Sequence, residues 1–242
     1  MAHGTKPYGH ATAQNIIYGV QDMGELAARL GSIDTFDRRG NIIFTDDFEC
    51  GHLTKWIRTL AGPLSTITLR TLYARSGAFS ARLYAGPVAT NSAEINHFMP
   101  YPVLGKVGVE AWYCLPGLAN AYLYHGFYLY DGVNITYYLI RYNPSTGNVD
   151  VYDNVPGWQT FAVGLNIMTP GGFFVFKLVQ NLATGRYVRC ILNENEYDLS
   201  AYTAFFNANP TLASLVVTIS AYNITQALLV YADDVIVTQN EP

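Results

Sequence analysis

From Asn41 onward apolar and polar residues alternate with a period of two, the pattern of half-buried β-strands. The alternation predicts strands at 41–48, 66–72, 79–84, 94–98, 106–114, 122–130 and 134–142. Further strands are expected at 149–152, 173–180, 187–193, 215–221 and 228–238. Clusters of Gly, Pro and Asn separate them at intervals of about 10–15 residues, as in all-β domains. Two of these breaks read as hairpin turns, Asn143-Pro144-Ser145-Thr146-Gly147-Asn148 and Leu182-Ala183-Thr184-Gly185. A short helix is expected over 199–209, ahead of Pro210. So many short strands predict an all-β fold over residues 41–242, a β-sandwich of two packed antiparallel sheets.

Residues 1–40 follow a different pattern. Gly4, Pro7, Gly9, Gly19, Gly24, Gly31 and Gly40 interrupt them, and little alternation is present. One short helix is predicted over 22–30, with Asp22 as cap, Glu25 three positions on, and Leu26, Ala27 and Leu30 as its apolar stripe. Gly31 stops it. Two turns of helix do not stand alone. The segment is therefore expected to be an extended arm that contacts a neighbouring subunit through Tyr8, Ile16, Ile17, Tyr18, Leu26 and Leu30. The alternative is that it folds back on its own sandwich.

Two acidic stretches interrupt the strands. The first is Thr45-Asp46-Asp47-Phe48-Glu49-Cys50-Gly51-His52-Leu53-Thr54-Lys55-Trp56, and the second Tyr231-Ala232-Asp233-Asp234-Val235-Ile236-Val237-Thr238. Carboxylates inside strands are costly unless a cation or well-placed donors neutralise them. First and last strands are thus expected side by side, sharing one neutralising partner. If the first strand continues through Glu49, Asp47 and Glu49 share a face, and Asp233 and Asp234 point oppositely.

The order Asp47-Phe48-Glu49-x-Gly51-x-Leu53-x-x-Trp56, then Ser76-Gly77-Ala78-Phe79-Ser80-Ala81-Arg82-Leu83, then the closing Asp233-Asp234-Val235-x-Val237, resembles carbohydrate-binding-module and concanavalin A-like lectin jelly rolls. The resemblance spans residues 45–238. It implies a jelly-roll sandwich with a structural calcium held by Glu49 and Asp234, Asp47 nearby, and backbone carbonyls and water completing the shell. Pairing with Arg58, Arg75 or Lys55 is the alternative. Laminarinase-type relatives of this fold carry Glu-x-Asp-x-x-Glu on one strand, a motif this chain lacks; Glu110 is alone on its strand, and Glu194 and Glu196 fall in a polar turn. The chain is expected not to be an enzyme.

Composition narrows the function. Of 242 residues 50% are hydrophobic, 14% aromatic and 13% charged, and nineteen are tyrosines. That charge is about half the usual share, and tyrosine suits contact surfaces. Trp112, Tyr122, Tyr124, Tyr128 and Tyr130 are candidate stacking residues for a glycan or a protein partner, the four tyrosines sharing one strand parity, with Tyr137 and Tyr138 extending the band. Core packing is the alternative for each. A net charge of −4 without basic runs argues against nucleic acid, and no long apolar stretch argues for a membrane span. Cys50, Cys114 and Cys190 lack metal-like spacing and read as free thiols. Together with an N-terminus that lacks a secretory core, these features lead to the expectation of a virion structural protein, a bacteriophage capsid-decoration or tail-associated subunit assembled in the host cytoplasm. It is expected to be a homo-oligomer, a trimer favoured, bound to sister subunits and other virion proteins. The alternatives are a carbohydrate-binding lectin-like module and a self-assembling filament or surface-layer subunit.

Overall fold

Strands that bury one face need a second layer to bury it against, and here each layer draws strands from both halves of the chain. A computed structural model describes residues 39–155, 157–167 and 171–242. The expected arm helix over 22–30 and the arm residues Tyr8, Ile16, Ile17, Tyr18, Leu26 and Leu30 lie outside the described residues.

The first eight strands are β1 (Asn41–Asp46), β2 (Ile57–Ala61), β3 (Thr66–Arg70), β4 (Ser80–Ala85), β5 (Ser92–Pro100), β6 (Lys106–Cys114), β7 (Ala121–Tyr130) and β8 (Asn134–Asn143). The second eight are β9 (Asn148–Asp153), β10 (Gly157–Ala162), β11 (Phe173–Asn181), β12 (Arg186–Leu192), β13 (Asn195–Asp198), β14 (Phe205–Ala208), β15 (Ser214–Asn223) and β16 (Leu228–Gln239). They form two eight-stranded sheets. Sheet I runs β13-β12-β11-β6-β16-β4-β3, with β1 on β16; sheet II runs β10-β9-β8-β7-β15-β5-β2, with β14 on β8. Every pairing is antiparallel, so the fold is the expected two-sheet jelly-roll sandwich. First and last strands do lie side by side, Asp46 opposite Val235.

The sheets meet through alternate residues. On β7 these are Leu123, Phe127 and Leu129, on β15 Leu215, Val217 and Ile219, and on β6 Val107, Val109, Ala111 and Tyr113. A histidine sits among them: the Tyr113 hydroxyl lies 2.7 Å from His125 Nδ1, and His125 Nε2 lies 3.2 Å from the Val109 carbonyl. A carbonyl only accepts, so Nε2 carries the proton and Nδ1 receives the hydroxyl. Burial pushes the His125 pKa down to about 4.

Both expected hairpins are present, β8–β9 and β11–β12. The helix expected over 199–209 is not. Leu199 opens a turn closed by the Tyr202 amide, Thr203 and Ala204 form isolated bridges to Arg186 and Asp153, and β14 follows, paired to β8. Phe205 and Phe206 are aromatic β-formers and find a free stretch of β8 to pair with. Among the described residues no helix is long and apolar enough to cross a membrane.

Candidate functional site

Beyond Asp46 the first acidic stretch folds into a loop, not a strand. β1 ends at Asp46, whose carboxylate is buried and accepts hydrogen bonds from Trp56 Nε1 at 2.6 Å and Lys55 Nζ at 2.9 Å. That bond to Asp46 raises the Lys55 pKa. Phe48, Leu53 and Trp56 then enter the core, so the apolar positions of the motif close one end of the sandwich. Asp47 Oδ1 accepts from the Glu49 amide at 3.1 Å, an Asx turn. Glu49 Oε1 accepts from the amides of Ala78 and Phe79, both at 2.7 Å. Its carboxylate occupies the place where a side chain at Gly77 would stand: a Cβ there would lie 2.2 Å from Glu49 Cδ, and φ is +61°. This contact is what ties the first motif to Ser76-Gly77-Ala78-Phe79.

The closing strand departs from simple alternation. A β-bulge between Asp233 and Ile236, with Asp234 at φ 46°, lets both buried carboxylates meet the Arg75–Ser76 segment. The expected opposite orientation is thereby corrected. Asp234 receives Arg75 Nη1 at 2.5 Å and Ser76 Oγ at 2.6 Å, while Asp233 Oδ2 receives the Arg75 amide at 2.7 Å. Burial, with Asp234 beside it, pushes Asp233 up to about 7. The neutralising partner of the closing strand is therefore Arg75, and Glu49 is served by backbone amides. Among the described residues no group of three or more His, Cys, Asp or Glu is placed to hold a metal.

The stacking set splits between the two sheets. Trp112 lies on sheet I, opposite Asp233 and Val175, with the Arg75 guanidinium 3.8 Å from its ring centre. Strand parity alone cannot tell which sheet a strand joins, so the sequence places Trp112 beside rings that the fold puts on the other sheet. Tyr138 is corrected too, since it points into the core.

Tyr122, Tyr124, Tyr128 and Tyr130 alternate with the core residues of β7 and so line the outer face of sheet II. Neighbouring strands widen this stripe. Tyr222 lies opposite Tyr122, Tyr137 opposite Tyr128, and Trp158 opposite Tyr152. The rings touch in series: Tyr124 to Trp158 at 5.5 Å, Trp158 stacked on Tyr152 at 4.7 Å, Tyr152 to Tyr137 at 5.9 Å and Tyr137 to Tyr128 at 5.4 Å. Arg141 is clasped between Tyr122 (4.0 Å) and Trp158 (4.3 Å), and its Nε donates to Asp150 Oδ2 at 2.7 Å. Asp150 Oδ1 also accepts from Thr160 Oγ1 at 2.6 Å. On the other flank Glu94 accepts from Asn96 Nδ2 at 2.6 Å, and burial raises its pKa. Burial likewise raises Tyr124 and Tyr128, so these rings are neutral phenols. The arrangement is a half-buried, pre-ordered aromatic surface edged by hydrogen-bonding groups.

Tyr152, Trp158, Arg141, Glu94 and Tyr222 were not singled out from the sequence. Trp158 and Tyr152 face each other across a pairing whose second strand, β10, carries no clear alternation.

No protein-family model matches the sequence, and no curated protein matches it. Solved structures do. The cellulose-induced protein Cip1 matches with a TM-score of 0.52 and 17% identity, over 81% of this chain and 96% of its own. An endo-β-1,4-glucuronan lyase from the fungus Trichoderma reesei matches with a TM-score of 0.53 and 11% identity, over 83% and 96%. The conserved carbohydrate esterase vb_24B_21 from the Shiga toxin-encoding bacteriophage phi24B matches with a TM-score of 0.53 and 11% identity, over 84% and 100%. At these identities the likeness establishes the fold.

Proposed function

We propose that the protein is a glycan-binding module that lays sugar rings against the outer face of sheet II. The observation that carries this reading is the tyrosine stripe of β7, held on the surface of the sheet in one aromatic network with Tyr137, Tyr152 and Trp158. Rigid aromatic faces bind the apolar faces of pyranose rings at low entropic cost, and their flanking polar groups orient the hydroxyls. The fold is shared with proteins whose names refer to cellulose, glucuronan and carbohydrate esters, which is in keeping with this reading.

Binding without bond cleavage is part of the proposal. The acids of the face are engaged, Glu94 by Asn96 and Asp150 by Arg141 and Thr160, and His125 is sealed in the core. Release of shortened or unsaturated products from a bound oligosaccharide would contradict it. Titration with a panel of oligosaccharides tests the binding itself: Tyr124→Ala is expected to weaken the tightest ligand roughly 10-fold or more. Trp112→Phe, on the other sheet, is expected to leave that affinity unchanged. A virion surface, with residues 1–40 joining sister subunits, is the setting proposed for such a module; full incorporation of a chain lacking residues 2–40 would remove the joining role.

A further inference from the structure

Resting on the glycan-binding reading, we propose that the ligand is an uncharged glycan and that Thr218 and Asn96 read its hydroxyls. Three strands bring these residues together. Thr218 on β15 lies opposite Asn96 on β5 and opposite Gly126 on β7. Gly126 interrupts the tyrosine stripe between Tyr124 and Tyr128, and a Cβ there would meet the Tyr138 carbonyl at 2.0 Å, so the position stays bare. Thr218 and Asn96 therefore lie beside this bare position, buried beneath the aromatic surface.

Thr218 Oγ1 and Asn96 Oδ1 are buried and neither has a hydrogen-bond partner. Thr218 is 1% exposed and Asn96 8%. The Asn96 amide nitrogen is committed to Glu94, which leaves its oxygen as an unused acceptor. Thr218 Oγ1 falls short of hydrogen-bond geometry with the neighbouring Tyr128 hydroxyl. Unpaired buried polar atoms cost free energy in the empty protein, and such atoms in a native fold call for an explanation. A sugar hydroxyl both donates and accepts, so it satisfies an acceptor and a hydroxyl side by side. Tyr128 is the side chain that must turn for the hydroxyl to reach Thr218.

Charge decides the class of sugar. Arg58 and Arg141 are the cations on the eight strands of sheet II. Arg58 pairs with the core position Ile95 and so belongs to the inner side of its strand. Arg141 is the cation of the outer face, and Asp150 already neutralises it at 2.7 Å. Glu94 adds a carboxylate two residues from Asn96. Among the described strands of sheet II a uronate would meet no uncommitted cation on this face and would lie near Glu94, whereas a neutral pyranose meets hydrogen-bonding groups and rings.

The test is calorimetric titration of the full chain and of Thr218→Val with two sets of hexasaccharides. One set contains neutral glucose, galactose, mannose and xylose oligomers, the other glucuronic and galacturonic acid oligomers. A neutral hexasaccharide is expected to bind at least 10-fold tighter than either uronate. Thr218→Val is expected to bind it about 10-fold more weakly while melting at the same or a higher temperature, because the variant buries no unpaired hydroxyl. A uronate preference, or undiminished neutral binding by a folded Thr218→Val, overturns the inference and leaves glycan binding standing. Absence of saturable binding to both sets overturns the glycan-binding reading, and this inference with it.

Discussion

Glu241→Ala is expected to cost about 3 kcal/mol or more of folding stability, the largest loss from any single change considered for this chain. Glu241 is 5% exposed and holds two buried cations at once. Its Oε1 receives Lys177 Nζ at 2.9 Å and Thr238 Oγ1 at 2.5 Å, and its Oε2 receives Arg189 Nη2 at 2.5 Å. Removing the carboxylate leaves charges buried with fewer partners, which is far worse than removing an ion pair whole. Lys177 keeps the Arg39 carbonyl at 3.2 Å and has Glu110 opposite it in the ladder, so the imbalance falls mainly on Arg189. Urea unfolding reads the loss as a lower midpoint at unchanged slope. A change below about 1 kcal/mol would mean that the cluster is not closed around Glu241.

The second large effect is that of Arg75→Ala, which is expected to cost about 2–3 kcal/mol near pH 8, discounted for partial exposure of the guanidinium, and less near pH 5.5. Arg75 is 25% exposed, whereas Asp234 is fully buried. Without the guanidinium, Asp234 keeps the Ser76 hydroxyl and a like charge at Asp233. Asp233 is already raised to about 7. Between the ordinary carboxylate pKa and that value the folded chain binds more protons than the unfolded one, so Asp233 lowers stability as pH rises through this window. His125, lowered to about 4, acts in the opposite sense between about 4 and 6.5, because there the unfolded chain binds more protons. The two slopes offset each other in the intact protein below about pH 6.5. Arg75→Ala deepens the carboxylate side alone, so its stability should fall more steeply than the parent's between pH 5.5 and 8. Equal losses at both pH values would show that Arg75 acts by packing on Trp112 instead.

Alternation within a strand was the most legible feature of the sequence. The strand read over 106–114 is β6 to the residue, and the parity of Tyr122, Tyr124, Tyr128 and Tyr130 holds because each alternates with a core residue. What alternation does not encode is which strands become neighbours. For that reason Trp112 was grouped with rings that belong to the other sheet. Strand β2 was missed because all five of its residues are exposed at a sheet edge, so no burial pressure shapes its pattern. The bulge at Asp234 was hidden for a related reason, since a single left-handed residue leaves no compositional mark when it is not glycine. Glu241 gave no signal because its partners Lys177 and Arg189 lie more than fifty positions away. The acidic motifs were visible as motifs, but their partners Arg75 and the amides of residues 78–79 emerge only from the fold.

The claim most in need of a direct test is that sugars lie on the outer face of sheet II. Ring resonances of isotopically labelled tyrosine and tryptophan, followed during titration with a binding oligosaccharide, locate the contact without mutation. The account predicts saturable shifts at Tyr122, Tyr124, Tyr128 and Trp158, with Trp112 and Tyr113 unmoved. Shifts confined to Trp112 and its surroundings on sheet I would contradict it.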